Sequence, residues 1–224
     1  MDWHKRTLRL GVLASGRGSN LQSIIDAIAR KTLRAEIALL ITDNPAALAI
    51  ERAKKHGIEY LVIKPKEFSS GDEYYLRVSG ELRNRAVDLI VLAGFMRIIG
   101  KPLIDAFPNR IMNIHPALLP AFPGMHGQKQ ALEYGVKISG CTVHFVDEGM
   151  DTGPVIIQAA VPVYHGDTEE ILSERILRFE HKIYPEAIRL FSEGRIAVEG
   201  RTVKIKENVP SDQSVVNPRI RESL

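Results

Sequence analysis

Short apolar runs alternate with helix-like segments through the first hundred residues, and this alternation constrains the fold more than any other feature of the chain. The run Leu8 to Ala14 ends at a glycine-rich loop, and from Leu21 apolar residues recur at the spacing of an amphipathic helix. The unit then repeats, with predicted strands at 36–41, 60–63 and 87–93 and predicted helices at 46–55 and 74–85. This order predicts a doubly wound α/β fold with a mostly parallel, Rossmann-like sheet. Asn44 and Pro45 are the expected N-cap and first-turn residues of the second helix.

The pattern changes after residue 100. A strand at 110–115 leads into a proline-rich loop, and the alternating segment 139–147 predicts a less buried, antiparallel strand. A further strand (154–163), a long helix (168–191, with a kink expected at Pro185) and a terminal hairpin (196–205) follow. We therefore predict one domain over residues 1–206 and a polar, flexible tail over 207–224.

Composition excludes several classes of protein. With 224 residues, 45% hydrophobic and 25% charged, the chain suits a soluble domain, and the net charge of +3 is spread along the sequence, which does not indicate a nucleic-acid binder. No stretch approaches the ~18 apolar residues of a membrane helix and no signal peptide is recognisable, so we expect a cytoplasmic protein. The single cysteine, Cys141, excludes an internal disulfide, and the scattered histidines predict no metal site.

The loop at residues 15–20 (SGRGSN) is the first candidate site. A glycine-rich turn between a strand and a helix exposes backbone N–H groups at the positive end of the helix dipole, which suits a phosphate. The alternative is a structural turn in which Ser19 or Asn20 only caps the helix. Leu21 stands where a dinucleotide fingerprint needs glycine or alanine, and no Gly-Lys-Ser/Thr is present, so neither NAD nor ATP is predicted.

A second candidate site lies at the end of the strand at 110–115. Strand alternation sends Asn113 and His115 to the same face, and ligands of open parallel sheets bind beyond the carboxyl ends of the strands. The acidic turn at 147–154 could bring a carboxylate to His115, but the pattern does not choose among Asp147, Glu148 and Asp151. The apolar segment at 95–99 could form the wall of a pocket for a flat aromatic ligand.

Five segments in order resemble a known family. They are LASGRGSNLQSIIDA at 13–27, LIVLAGFMRII at 89–99, IMNIHPALLPAFPGMHGQKQALE at 111–133, CTVHFVDEGMDTGPVIIQ at 141–158 and FEHKIYPEAI at 179–188. Along almost its whole length the chain resembles the phosphoribosylglycinamide formyltransferases, the folate-dependent enzymes of purine synthesis. The resemblance implies their formyltransferase fold, with at least one antiparallel strand in the sheet.

The resemblance also implies an activity. The formyl group of 10-formyltetrahydrofolate would pass to the amine of glycinamide ribonucleotide, giving formylglycinamide ribonucleotide and tetrahydrofolate. The amine would attack directly, through a tetrahedral intermediate, with no metal and no covalent enzyme intermediate. The implied partners are these two small molecules, with neither nucleic acid nor membrane, and the implied assembly is a monomer or homodimer.

Matched residue by residue, the resemblance implies a catalytic trio of Asn113, His115 and Asp151, with Asp151 holding His115 in its charged form. Glu180 would contact the ribonucleotide. The implied phosphate-binding residues are Gly18, Ser19 and Asn20, and the implied folate-binding residues are Met96, Arg97, Ile98, Ile99, Asp147, Glu148, Gly149 and Met150.

The chain departs from the family at one position. Family members commonly carry a basic residue for the substrate phosphate after the third strand, and this chain has Gly71 there. Arg17 and Lys66 are the candidate replacements.

Three alternatives stay open at this point. Formyltetrahydrofolate hydrolases and methionyl-tRNA formyltransferases share the pattern around 113–120, but the hydrolases usually carry an extra N-terminal domain and the tRNA enzymes a C-terminal one. Neither addition is expected in a chain whose sheet starts at residue 8 and whose last twenty residues are polar. A non-catalytic nucleotide or folate sensor could use the same fold, although the intact Asn113, His115 and Asp151 favour an enzyme.

Overall fold

The computed structural model describes residues 6–206, which form one nine-stranded sheet with helices on both faces. The strands are β1 (Leu8–Leu13), β2 (Ala35–Thr42), β3 (Tyr60–Val62), β4 (Leu89–Leu92), β5 (Ile111–His115), β6 (Ile138–Phe145), β7 (Val155–Pro162), β8 (Ile196–Glu199) and β9 (Thr202–Ile205). The helices are α1 (Ser19–Ala29), α2 (Leu48–Lys55), α3 (Gly71–Asn84), α4 (Lys101–Ala106), α5 (Gly127–Tyr134) and α6 (Glu169–Ser192), with a 3₁₀ turn at Pro65–Glu67.

The strand order is β3-β2-β1-β4-β5-β6-β7-β9-β8. The first five strands in this order pair in parallel, β5, β6 and β7 pair antiparallel, and β9 pairs in parallel with β7. The sequence-based prediction of a mostly parallel, doubly wound sheet with antiparallel strands is confirmed. Because the order reverses direction between β1 and β4, the carboxyl ends of these strands face a crevice where ligands of such folds bind.

The core has two halves because strand side chains alternate between the sheet faces. In β4, Leu89 and Val91 join the half that packs on α1, α2 and α6, whereas Ile90 and Leu92 join the half that packs on α3 and α4. Both faces of the central strands are thus covered, which is why these strands are continuous apolar runs rather than alternating ones.

Two sequence-based predictions about elements were wrong, and two short helices were not predicted. Helix α2 begins at Leu48 with Ala47 at the N-cap, because the Asn44 side chain instead accepts from the Ala46 amide and donates to the Ser15 carbonyl, forming a turn. Strand β6 is buried on both faces, since it lies between β5 and β7 and packs against α6. Helices α4 and α5 were not predicted, and both are short.

The long helix and the terminal hairpin were predicted correctly. Thr168 caps α6 by accepting from the Ile171 amide, and the helix runs through Pro185 to Ser192. Strands β8 and β9 form the predicted antiparallel hairpin. The predicted tail at 207–224 lies outside the described residues, so the division into domain and tail stays a prediction. Within residues 6–206, no helix is long and apolar enough to cross a membrane.

Candidate active site

Strands β5 and β6 place three polar side chains together at one edge of the sheet. Asn113 and His115 lie two residues apart on β5, and the antiparallel register sets them opposite His144 and Thr142 of β6. His115 and His144 are buried, and Asn113 is partly buried. The Asn113 amide nitrogen lies 3.2 Å from His144 Nε2. Alternation along β5 thus puts Asn113 and His115 on one face, and the strand pairing adds His144 to them.

Asp151 reaches this cluster from the loop between β6 and β7. Its backbone has a φ of 55°, in the left-handed region that few non-glycine residues adopt. One carboxylate oxygen accepts from the Gly124 amide at 2.7 Å and lies 3.3 Å from His115 Nδ1. The other lies 3.4 Å from the Asn113 amide nitrogen and 3.6 Å from His144 Nε2. Asp151 is thus the acid of the turn that joins the cluster.

The other two acids of the turn point elsewhere. Asp147 accepts from the Gly149 amide and the Thr152 hydroxyl within its own turn, and Glu148 pairs with Lys101 of α4 at 2.8 Å. The carboxylate beside His115 is therefore that of Asp151, a choice that residue spacing alone left open.

Burial and charge act on His115 in opposite directions. Burial lowers the pKa of His115, whereas the Asp151 carboxylate and the Phe122 carbonyl, 2.8 Å from Nε2, raise it; burial prevails and the pKa is lowered. Asp151 thus opposes the effect of burial without reversing it, and the role expected of Asp151 in keeping His115 charged stays a prediction. Burial also acts to raise the pKa of Asp151, but the hydrogen bond from the Gly124 amide and the nearby His115 and His144 outweigh it, so that pKa is lowered.

His144 is the residue of this cluster that sequence reasoning did not single out. Its Nδ1 lies 2.8 Å from the Phe145 carbonyl, so a proton on Nδ1 leaves Nε2 free to accept from Asn113. His144 thereby orients the amide of Asn113. Its alternation on β6 was visible in the sequence, but the register with β5 that brings it to Asn113 was not.

The glycine loop precedes α1 without a side-chain cap. Gly18 is the N-cap residue with a φ of 67°, and a side chain at this position would bring a Cβ within 2.9 Å of Ala49 of α2. Glycine is therefore required both by the backbone conformation and by the packing. Helix geometry leaves the amides of Ser19, Asn20 and Leu21 without intrahelical acceptors, and no side chain of the described residues caps them. The capping role considered for Ser19 or Asn20 is not what the structure shows.

A buried polar pair joins this loop to α6. The Asn20 amide donates to a Glu180 carboxylate oxygen at 2.8 Å, and both residues are buried. Burial raises the pKa of Glu180, an effect that the bond from Asn20 opposes. Within residues 6–206 the Asn20 side-chain oxygen has no hydrogen-bond partner. An unpartnered buried acceptor beside a carboxylate suits a ligand that brings hydroxyl or amide donors.

Helix α6 connects the loop to strands β4 and β5. One turn beyond Glu180, the fully buried Tyr184 hydroxyl lies 3.0 Å from the carbonyl of Leu92, the last residue of β4, and 2.9 Å from the carbonyl of Met112, the second residue of β5. A second link runs from the Met96 amide to the Ser15 hydroxyl at 3.1 Å. The glycine loop and the cluster of Asn113, His115 and Asp151 therefore lie on the same edge of the sheet and share supporting residues.

The predicted folate-binding residues lie in two different surroundings. Met96 and Ile98, 66% and 65% exposed, follow β4, and Met150, 50% exposed, lies against Gly124. Arg97 is paired with Asp43 at 2.7 Å, whereas Ile99 is buried in the core beneath this segment. Exposed methionine and isoleucine side chains beside a polar cluster suit a flat, largely apolar ligand.

No group of three or more histidine, cysteine, aspartate or glutamate side chains within residues 6–206 is arranged to hold a metal ion. Two surface depressions, of about 430 Å³ between α3 and α4 and about 250 Å³ beside α2 and β3, contain none of the clustered side chains. The candidate site is thus the open edge where β4 and β5 end, because that is where polar groups converge.

Comparison with known proteins agrees with this geometry. Residues 8–188 match the formyl transferase family. The phosphoribosylglycinamide formyltransferase of Bacillus subtilis is 44% identical over 81% of this chain and 93% of its own. The trifunctional purine biosynthetic protein adenosine-3 of Drosophila pseudoobscura pseudoobscura is 48% identical over 91% of this chain, which spans 15% of that protein's length.

Solved structures show the same relationship. Glycinamide ribonucleotide transformylase 1 of Symbiobacterium toebii superimposes with a TM-score of 0.88 and 52% identity, covering 89% of this chain and 94% of that one. A formyltetrahydrofolate deformylase of Pseudomonas syringae superimposes with a TM-score of 0.83 at 26% identity, covering 90% and 67%. The chain belongs to the formyl transferase family.

Proposed function

We propose that this protein transfers the formyl group of 10-formyltetrahydrofolate to the amine of glycinamide ribonucleotide. The observation that carries the proposal is the placement of an amide, an imidazole and a carboxylate (Asn113, His115 and Asp151) on the sheet edge that also holds the uncapped amides of α1. One end of this edge suits a phosphate and the other suits proton transfer beside a carbonyl group.

The folate donor supplies a formyl carbon whose oxygen gains negative charge as the amine adds. The Asn113 side-chain amide is suited to donate a hydrogen bond to the formyl oxygen. One of its two amide hydrogens is directed to His144, and the other faces Asp151 across a long contact of 3.4 Å. A preorganised donor of this kind typically contributes about 2.7–4 kcal/mol to lowering a barrier.

His115 and Asp151 are the groups placed to transfer the proton that the amine loses. A new carbon–nitrogen bond forms to the amine, the bond to the donor nitrogen breaks, and one proton moves from the amine to the leaving nitrogen. His115 lies between two acceptors, Asp151 and the Phe122 carbonyl, which favour its charged form, while burial favours its neutral form. An imidazole held between these opposing effects can take up a proton from the amine and release it to the leaving nitrogen.

The substrate side is assigned to the glycine loop and Glu180. The amides of Ser19 and Asn20 would bind the phosphate, and the Asn20–Glu180 pair would accept from donors of the ribonucleotide. For the folate, Met96, Ile98 and Met150 offer exposed apolar surface. Arg97, Ile99, Asp147, Glu148 and Gly149 would support or border the same pocket. A monomer or homodimer in the cytoplasm stays our expectation for assembly and location.

Hydrolysis of the same donor is the second candidate, favoured by the structural likeness to a deformylase at 26% identity. The experiment is a spectroscopic assay of tetrahydrofolate release with and without glycinamide ribonucleotide. We expect release only when the ribonucleotide is present. Equal release in water alone would assign the protein to the hydrolases, and binding of both compounds without any release would assign it to the non-catalytic sensors.

A further inference from the structure

Arg52 of α2 lies against the glycine loop in a fixed position. Its Nε donates to the Arg17 carbonyl at 2.9 Å and its Nη1 donates to the Gln22 side-chain oxygen at 3.0 Å. Gln22 is the fourth residue of α1, and its amide makes the first helical bond, to Gly18. The guanidinium group therefore sits beside the first turn of α1, where the helix dipole is positive.

Among residues 6–206, no carboxylate lies within 4.0 Å of the Arg52 guanidinium. The partly buried Arg85, Arg175 and Arg189, in contrast, each pair with at least one acid at 2.5–2.6 Å. A cation held at the positive end of a helix is unfavourable unless an anion binds there. The position of Arg52 is therefore more favourable when an anion is bound beside it than in the protein alone.

The other basic candidates are less suited. Position 71 has no side chain to offer, and the space around it is open, since nothing lies within 4 Å of a Cβ built there. Arg17 is exposed and Lys66 lies on the exposed 3₁₀ turn, so binding would have to immobilise either side chain. The side chain of Arg52 is already held by its two hydrogen bonds.

We infer that Arg52 supplies the positive charge that recognises the substrate phosphate at the glycine loop, in the role that a basic residue at position 71 would otherwise fill. The inference rests on the proposed function, because the anion is the phosphate of the ribonucleotide. Arg52 would act in two ways, by charge and by fixing the Arg17 carbonyl so that the amides that follow point outward.

The test compares Arg52→Gln, Arg52→Lys and the matched control Lys54→Gln. Lys54 lies on the same helix, is 52% exposed and pairs with Glu51. Its substitution also removes one positive charge, but at a position that does not contact the glycine loop. For each variant, kcat and KM are measured for glycinamide ribonucleotide and for its dephosphorylated riboside, at low and high salt. Thermal unfolding checks that each variant is folded.

For Arg52→Gln we expect the KM for the ribonucleotide to rise about tenfold or more, with a weaker dependence on salt and with kcat within about twofold. The KM for the riboside should stay unchanged, Arg52→Lys should recover part of the loss, and Lys54→Gln should match the wild type.

Two results would overturn the inference: a KM for the ribonucleotide that Arg52→Gln leaves unchanged, or equal rises for ribonucleotide and riboside. The second result would mean that Arg52 only supports the loop. If Arg52→Gln is unfolded, Arg52→Lys carries the test, because a binding role for the guanidinium predicts a raised KM for the ribonucleotide alone. A wild-type protein that fails to turn over the ribonucleotide would overturn the proposed function, whereas normal wild-type turnover with unaffected Arg52 variants would overturn only this inference.

Discussion

The two ends of the candidate site are built in different ways. The glycine-loop end, consisting of Gly18, Ser19, Asn20 and Glu180, presents backbone amides from a contiguous segment and one buried side-chain pair. The end that we propose to be catalytic (the catalytic end), consisting of Asn113, His115, His144 and Asp151, is made of side chains from two antiparallel strands and a loop. The difference separates two tasks, since backbone amides bind a constant charge whereas titratable side chains respond to changes in charge.

If this division holds, substitutions at the two ends should affect different kinetic constants. Changes at the catalytic end should lower kcat, because interactions that strengthen only in the transition state do not contribute to ground-state binding. Changes at the glycine-loop end should raise KM, because the phosphate takes no part in bond making.

The largest effect is expected for Asp151→Asn. The substitution keeps size and hydrogen-bonding capacity but removes the charge that opposes the effect of burial on the pKa of His115, so the imidazole becomes harder to protonate. We expect turnover to fall by about a hundredfold or more, within the ~10²–10⁴ of general acid–base catalysis, with much smaller changes in binding. Steady-state kinetics and calorimetry measure the two effects, and Asp105→Asn, on the exposed part of α4, is the charge-matched control.

Asn113→Ala tests whether these residues act as one unit. The Asn113 amide contacts both His144 and Asp151, so the double variant with Asp151→Asn should lose less than the product of the two single losses. Fully multiplicative losses would show that the two residues act independently, and near-normal turnover of Asp151→Asn would contradict its role.

The sequence predicted the glycine-loop end better than the catalytic end, because the first is built from consecutive residues and the second from residues far apart in the chain. The strand, loop and helix of the glycine-loop end are consecutive, so their arrangement follows from local pattern alone. Asp151 joins His115 through a loop in the left-handed conformation, and only the family resemblance selected it among three acids. His144 was passed over because it meets Asn113 through the pairing of β5 with β6, 31 residues apart in sequence.

The same limit applies to the fold. The parallel half of the sheet was predicted from alternating strand and helix patterns, with boundaries shifted by a few residues. The burial of β6 was not, because its coverage depends on α6, which follows about thirty residues later. The short helices α4 and α5 follow irregular segments. The N-cap residue of α5, His126, has a left-handed backbone conformation that the local sequence pattern does not predict.

Ser19→Asp should have the next largest effect, confined to the glycine-loop end. A carboxylate at the first residue of α1 suits the helix dipole, so the fold should tolerate it, but it would occupy the space proposed for the substrate phosphate. We expect the Kd for the ribonucleotide to rise by about tenfold or more while folate binding and kcat change little. Ser19→Ala, which keeps the backbone amides, should alter Kd far less. Calorimetry that finds equal affinities for the Ser19→Asp variant and the wild type would reduce the loop to a structural turn.

Glu180→Gln should separate binding from stability. Burial raises the pKa of Glu180, so the folded protein holds this proton more tightly than the unfolded chain, and the associated stability is lost as pH rises above about 4.5. Glutamine can still accept from Asn20 but does not ionise. We expect the variant to melt about 2–4 °C higher at pH 7, corresponding to ~1 kcal/mol, and to gain less at pH 4. Its affinity for the ribonucleotide should fall, and a lower Tm at pH 7 would contradict the argument.

The smallest expected effect concerns His181, the residue after Glu180. Burial lowers its pKa, with a further lowering by Arg52 and an opposite effect of Asp26, and its Nε2 has no hydrogen-bond partner within residues 6–206. A folded-state pKa below the unfolded value of ~6.5 means that the full stability is present above pH 6.5 and is lost as pH falls through the folded pKa. The Tm of the wild type should therefore fall as the pH is lowered from 7.5 to 5.5.

His181→Gln removes that titration, so its loss of Tm over this pH range should be smaller by about 1–2 °C. His165→Gln, which removes an exposed imidazole, is the matched control and should follow the wild type. Scanning calorimetry at four pH values between 7.5 and 5.5 measures the slopes. If Tm falls equally in His181→Gln and the wild type, proton uptake by His181 does not cause the loss of stability at low pH. The loss would then be assigned to His115 at the catalytic end, whose pKa is also lowered by burial.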